Sequence, residues 1–120
     1  MRRDMELVRK ILIEISEGKY KMDIKLNSDE NRLYYYHLEI MRDAGLISFR
    51  DSGYKGGVLI SNDPKLTWLG NDYLDSISNE GVWSKTKNVI KERGMELSNV
   101  PFEIVSELAK MQLKKWIGME

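Results

Sequence analysis

Cysteine is missing from all 120 residues, histidine occurs once and proline twice, and Lys plus Arg equal Asp plus Glu at 19 each. Each shortage closes a class of function. Without cysteine there is no disulfide framework, thiolate metal site or Cys nucleophile. Zero net charge removes the strongly basic nucleic-acid binder, although a local basic patch stays open. No apolar run reaches the roughly 18 residues of a membrane span. Asp4, Glu6 and Arg9 fall where a signal peptide needs its apolar region. The expectation is a cytoplasmic protein that takes no membrane as partner.

What is present has an ordinary globular balance, 42% hydrophobic and 32% charged, which is too apolar for a disordered tail. A chain of this size buries roughly two thirds of its unfolded surface, so one core suffices. A single domain over 1–120 is expected, with a core over about 1–78 and a helical extension over about 79–120.

Periodicity supplies the elements. Met5, Val8, Ile11, Leu12 and Ile15 recur at three- and four-residue steps, which predicts a helix over 4–17, capped by Asp4 and stopped by Gly18. Tyr20, Met22, Ile24 and Leu26 alternate with charged residues, which predicts a strand over 19–26. Asn27 and Ser28 are caps for a helix with a buried stripe of Leu33, Tyr34, His37, Leu38, Met41 and Ala44, ended by Gly45. Two short strands over 46–50 and 57–62 follow, joined by Asp-Ser-Gly-Tyr-Lys-Gly. Thr67 caps a helix that carries Leu69, Tyr73, Leu74 and Ile77. Another spans Val82 to Arg93. The last opens near Pro101 and carries Phe102, Val105, Leu108, Ala109, Leu113 and Trp116. Leu12, Ile15, Leu38, Leu69 and Leu74 are expected in the central core.

The resulting class is α+β, mainly helical: a winged helix-turn-helix-like core with a β-hairpin wing and added C-terminal helices. Four segments carry a resemblance. They are the opening Met-Arg-Arg-Asp-Met-Glu-Leu-Val-Arg-Lys-Ile-Leu; Tyr36-His37-Leu38 with Ala44-Gly45-Leu46-Ile47; Leu66 through Asp75; and Val82-Trp83-Ser84-Lys85-Thr86-Lys87 with the closing helix. Together they resemble an uncharacterised family of short bacterial and prophage-encoded proteins, a domain of unknown function with a winged-helix core. The resemblance covers almost the whole chain. It implies that fold and a phage or mobile-element origin, and it brings no catalytic residue. A DNA-reading helix-turn-helix also needs a supporting helix ahead of the recognition helix. Between Gly18 and Ser28 the chain alternates like a strand, so the supporting helix is either reduced to a turn around Asn27 to Asn31 or lost.

His37 has no Ser, Cys or Asp near it at the spacing of a nucleophile and base pair, and its place among Leu33, Leu38 and Met41 points to a packed, hydrogen-bonded ring. Asp29-Glu30 and Asp72/Asp75 lack the loop spacing of metal ligands. Gly53-Tyr54-Lys55-Gly56-Gly57 joins two strands and opens no helix, so it does not cradle phosphate. No cofactor, metal or small-molecule substrate is expected. The sharpest candidate is a surface for double-stranded DNA made by Arg32, Tyr35, Tyr36 and Arg42 on the third element and by Arg50, Tyr54 and Lys55 on the hairpin. Glu39 and Asp43 dilute its charge. The closing helix carries more apolar residues than one core contact needs, and Met111 and Trp116 are candidates for a homodimer interface. The favoured expectation is a non-enzymatic, DNA-associated transcriptional regulator; the alternative is a module of the same fold that contacts another protein and never DNA.

Overall fold

The computed structural model describes the chain apart from Met22, Gly56, Gly57 and Glu120, and over 51–62 it describes only the backbone. The elements run α1 (Met5–Ser16), β1 (Asp23–Lys25), α2 (Asp29–Asp43), β2 (Ile47–Lys55), β3 (Val58–Leu66), α3 (Trp68–Ile77), α4 (Glu80–Glu92), a 3₁₀ turn (Leu97–Asn99) and α5 (Phe102–Trp116). The class is α+β and mainly helical, and the chain forms two compact units, Met1–Asn71 and Asp72–Glu120. No helix among the described residues is long and apolar enough to cross a membrane.

In the first unit α1 begins where the Asp4 carboxylate accepts the amides of Glu6 and Leu7 at 3.0 and 3.2 Å. Those amides would otherwise lack partners. Its apolar stripe, Met5, Val8, Ile11, Leu12 and Ile15, is buried. The Ser28 hydroxyl starts α2 by accepting the Asn31 amide at 3.2 Å, and Asp29 and Glu30 sit at the positive end of the helix dipole. Its buried residues are Tyr34, His37, Leu38 and Met41. Leu33 is only half-buried and Ala44 is exposed, so the expected stripe is narrower than its pattern. Ala44 is already the C-cap, next to Gly45 at a φ of 78°, where the chain turns away from the core.

The sheet has the order β1-β3-β2, antiparallel throughout. Among the described residues the expected strand over 19–26 narrows to Asp23–Lys25, which pairs with Ile60 to Val58 of β3. Leu26 to Ser28 then turn directly into α2, and no helix lies between β1 and α2 among the described residues. The hairpin strands are longer than the alternation suggests. Asp51 to Lys55, expected as a loop, extend β2, while Gly56, the last residue of that loop, and Gly57, the expected start of the next strand, lie outside the described residues. Two irregularities interrupt the ladder. Near the base, Ser48 pairs with Lys65 and Arg50 with Asn62, so Asp63 and Pro64 together oppose Phe49. Asp63 takes a φ of 51° there, a left-handed conformation that Asp tolerates better than most residues. Pro64 lacks an amide proton and suits a position that leaves the ladder. Nearer the tip, Asp51 pairs with Ser61 and Tyr54 with Leu59, which puts the extra residue on β2.

α3 is bolted to the α2–β2 turn. The Thr67 amide donates to the Leu46 carbonyl at 3.0 Å, and the Thr67 hydroxyl accepts the Gly70 amide at 3.0 Å while donating to the Gly45 carbonyl. A Cβ on Gly70 would fall onto the Leu46 carbonyl oxygen, so only glycine lets the two backbones approach this closely. Leu69, expected in the core, is instead 46% exposed. With Gly70 turned inward, the residue a hundred degrees around the helix points outward.

The second unit packs α4 and α5 around Trp83, Ile90, Val105 and Ala109, all buried. The Asn79 side chain accepts the Val82 amide at 3.0 Å and starts α4, two residues before the expected Val82. The Tyr73 and Phe102 rings meet edge-on at 4.5 Å. The buried Thr86 and Ser76 hydroxyls find local carbonyls: Thr86 donates to Val82 at 2.8 Å and Ser76 to Tyr73 at 2.7 Å, which removes the cost of burying them unpaired.

Candidate functional site

His37 is fully buried, and both ring nitrogens are used. Nε2 accepts the Asp4 backbone amide at 2.8 Å, and Nδ1 lies 2.9 Å from the Leu33 carbonyl. A carbonyl only accepts, so Nδ1 carries the proton and Nε2 the lone pair. The ring thereby fixes the N-terminal turn of α1 to the middle of α2.

The outer side of α2 faces the base of the hairpin, and Phe49 organises it. Phe49 is only 6% exposed. The Arg42 guanidinium lies over its ring at 4.2 Å, and the Tyr35 ring meets it edge-on at 6.5 Å. Arg42 and Tyr35 are both half-buried as a result. Tyr36, one position on, stands edge-on to His37 at 5.5 Å. Arg32 is exposed and bonds to the Asp29 carboxylate and, at 3.0 Å, to the Leu26 carbonyl. Arg50 reaches Asp63 at 3.5 Å, with both side chains more than four-fifths exposed. Tyr54 and Lys55 pair through their backbones with Leu59 and Val58; their side chains lie outside the described residues. The structure thus gathers Tyr35 and Arg42 on Phe49, sets Arg50 beside Asp63 and leaves Arg32 at the far end of α2. Sequence reasoning missed Phe49 and Asp63. The signal for Phe49 is an aromatic flanked by Ser48 and Arg50 in an alternating strand.

Two concavities flank this unit. One, of about 450 Å³, is lined by Ser48, Phe49, Arg50, Asp63 and Lys65. The other, of about 250 Å³, lies between α1 and α2 and is lined by Asp4, Leu7, Lys10, Glu14, Lys21, Glu30, Leu33 and Tyr34. There the Lys21 ammonium sits 4.8 Å from the Tyr34 ring centre, and the Lys21 amide lies 3.5 Å from the Tyr34 hydroxyl. Burial pushes the Tyr34 phenol above its usual value, the Lys21 amide opposes the shift and the nearby Glu14 adds to it. Among the described residues no three acidic or histidine side chains gather as metal ligands would.

On α5 the two expected interface residues part company. Met111 is 52% exposed and shares the outward side with Ile104, which is 45% exposed. The Trp116 ring instead lies across Gly81 of α4, where a Cβ would meet it at 3.0 Å. Trp116 as a whole is still 55% exposed.

A family model described as "Hypothetical protein (DUF2513)" matches residues 2–96, most of the chain. An uncharacterized protein of Haemophilus influenzae is 33% identical over 104 residues, covering 82% of this chain and 86% of that protein. No solved structure matches the chain. The match over 2–96 takes in every element from α1 to α4 and stops before α5; on its extent, the chain belongs to the DUF2513 family.

Proposed function

We propose that the chain is a non-enzymatic winged-helix protein of phage or mobile-element type that acts in the cytoplasm by contacting another protein through the α2 and hairpin side of its first unit. The order α1-β1-α2-β2-β3, with β3 between β1 and β2 in the sheet, supports the winged-helix reading. The charge at the start of α2 carries the choice of partner. A recognition helix sends its N-terminal residues to the base edges, and here that turn is Asp29 and Glu30, with the Asp29 carboxylate 98% exposed. Two carboxylates at the point of entry repel phosphate. The pairs holding Arg32 and Arg50 are exposed and worth about 0–1 kcal/mol, so they alone would not keep those arginines from DNA. Among the described residues no helix stands between β1 and α2, and a supporting helix in that place is part of how a helix-turn-helix grips DNA.

A regulator that binds double-stranded DNA is the second reading, favoured by Arg42, Arg50 and Lys65 around the hairpin base. An amide-shift titration with mixed-sequence duplex at low salt separates the two. The protein-contact reading expects no shifts over 29–44 or 47–66. Shifts there that weaken steeply with salt overturn it in favour of the regulator.

A further inference from the structure

From the charge order along α5 we infer that this helix is a self-recognition surface, on which a second copy of the chain docks antiparallel. Glu103, Glu107, Lys110 and Lys114 are all exposed, and their steps of four, three and four residues set them in a single row along the helix. Beside that row lie Ile104 and Met111, seven residues apart and so on one side of the helix, both about half exposed. The row therefore flanks an outward apolar seam. None of the four charged residues is in an ion pair with another described residue.

Laid against its own reverse, the row is complementary at every position. Glu103 meets the second copy's Lys114 and Glu107 meets its Lys110, and the twofold axis repeats both pairs. That alignment sets Ile104 of one helix within two residues of Met111 of the other, so the seam closes alongside the charges. A parallel arrangement would set Glu on Glu and Lys on Lys, which costs rather than gains. The helix dipole accounts for Glu103 in the first turn and Lys114 in the last. It does not account for Glu107 and Lys110 near the middle, nor for like charges four residues apart at 103/107 and 110/114, which disfavour the isolated helix. A second copy relieves both repulsions. α5 is roughly 22 Å long, so the contact is smaller than the interfaces of stable complexes, and association is expected at tens to hundreds of micromolar. This inference is independent of whether the α2 side contacts protein or DNA.

Sedimentation equilibrium of the full chain from about 10 micromolar to about 1 millimolar tests it. The wild type is expected to dimerise, less strongly at high salt. Met111→Glu should be monomeric with an unchanged circular dichroism spectrum. Glu103→Lys with Glu107→Lys should weaken the dimer about tenfold or more. Adding Lys110→Glu and Lys114→Glu reverses the row and should restore it, even though the reversed charges oppose the helix dipole. Should that fourfold variant fold poorly, an equimolar mixture of the Glu103→Lys/Glu107→Lys and Lys110→Glu/Lys114→Glu proteins should form a heterodimer tighter than either homodimer. A wild type that stays monomeric throughout overturns the proposal. A dimer indifferent to the charge changes overturns it as well.

Discussion

α2 and α5 are both 15-residue helices with an apolar inner stripe, yet they differ on the side turned away from the core. On α2 the outer residues are covered from within the unit: Arg42 and Tyr35 lie against Phe49, and Tyr36 against His37. On α5 Ile104 and Met111 are left about half exposed, with a row of charges beside them. A helix whose outer side is already covered contributes chiefly to its own unit. One whose apolar outer residues are uncovered leaves surface for a neighbour. Amphipathic pattern alone does not separate the two cases, because the cover on Tyr35 and Arg42 comes from the strand that follows α2 and not from the helix itself.

Substitutions along α2 probe how far that cover reaches. Leu38 is 2% exposed, and Leu38→Ala should cost about 2–5 kcal/mol in chemical denaturation. A loss below about 1 kcal/mol would mean that the site collapses and the inner side is loosely packed. His37→Leu keeps the bulk but leaves the Asp4 amide without its acceptor, at an expected cost of about 1–3 kcal/mol. Hydrogen exchange should show the loosening first in the opening turn of α1. Arg42→Ala removes the stack on Phe49 and should cost about 0.5–1 kcal/mol, whereas Met111→Ala should stay within about 0.5 kcal/mol when measured on the monomer. Equal losses at the two positions would erase the distinction between the helices. The smallest effect is at Tyr34. Its phenol is held above the usual 10.0 by burial, so the neutral form is preferred in the fold. The stability this gives is complete below the ordinary tyrosine range and is lost as pH rises through the raised value. In ultraviolet titration, Tyr34→Phe should remove one late-ionising tyrosine from the wild-type profile.

The helices are legible in the sequence because their signals are local: the Asp4 and Ser28 caps, the stops at Gly18 and Gly45, and three- and four-residue apolar steps all act within one or two turns. The strands are less so. The register of β1 is set by its pairing with β3, and the extent of the hairpin by pairing across it. The exposure of Leu69 depends on Gly70 meeting the Leu46 carbonyl 24 positions back, which no window along the chain reveals. At the candidate sites, the residues of the α2 and hairpin side could be named, but the Phe49 ring that occupies two of them could not. On α5 the reverse holds. The row from Glu103 to Lys114 is written openly in its spacing, while the approach of the Trp116 ring to Gly81 involves another helix.

The two irregularities of the hairpin cancel. Ile47 with Leu66 and Ser48 with Lys65 share one alignment at the base, and Tyr54 with Leu59 and Lys55 with Val58 return to it at the tip; only Arg50–Asn62 and Asp51–Ser61 between them are displaced by a residue. The hairpin therefore behaves like a vernier, in which a step on β3 is undone by a step on β2. Deleting one residue at either step should throw the tip out of phase with the base and move the β1 pairing with it. Deleting one at each should leave both ends aligned on a shorter ladder. Length can thus change along this arm in matched pairs, and a lone insertion or deletion is the change that the arrangement cannot absorb.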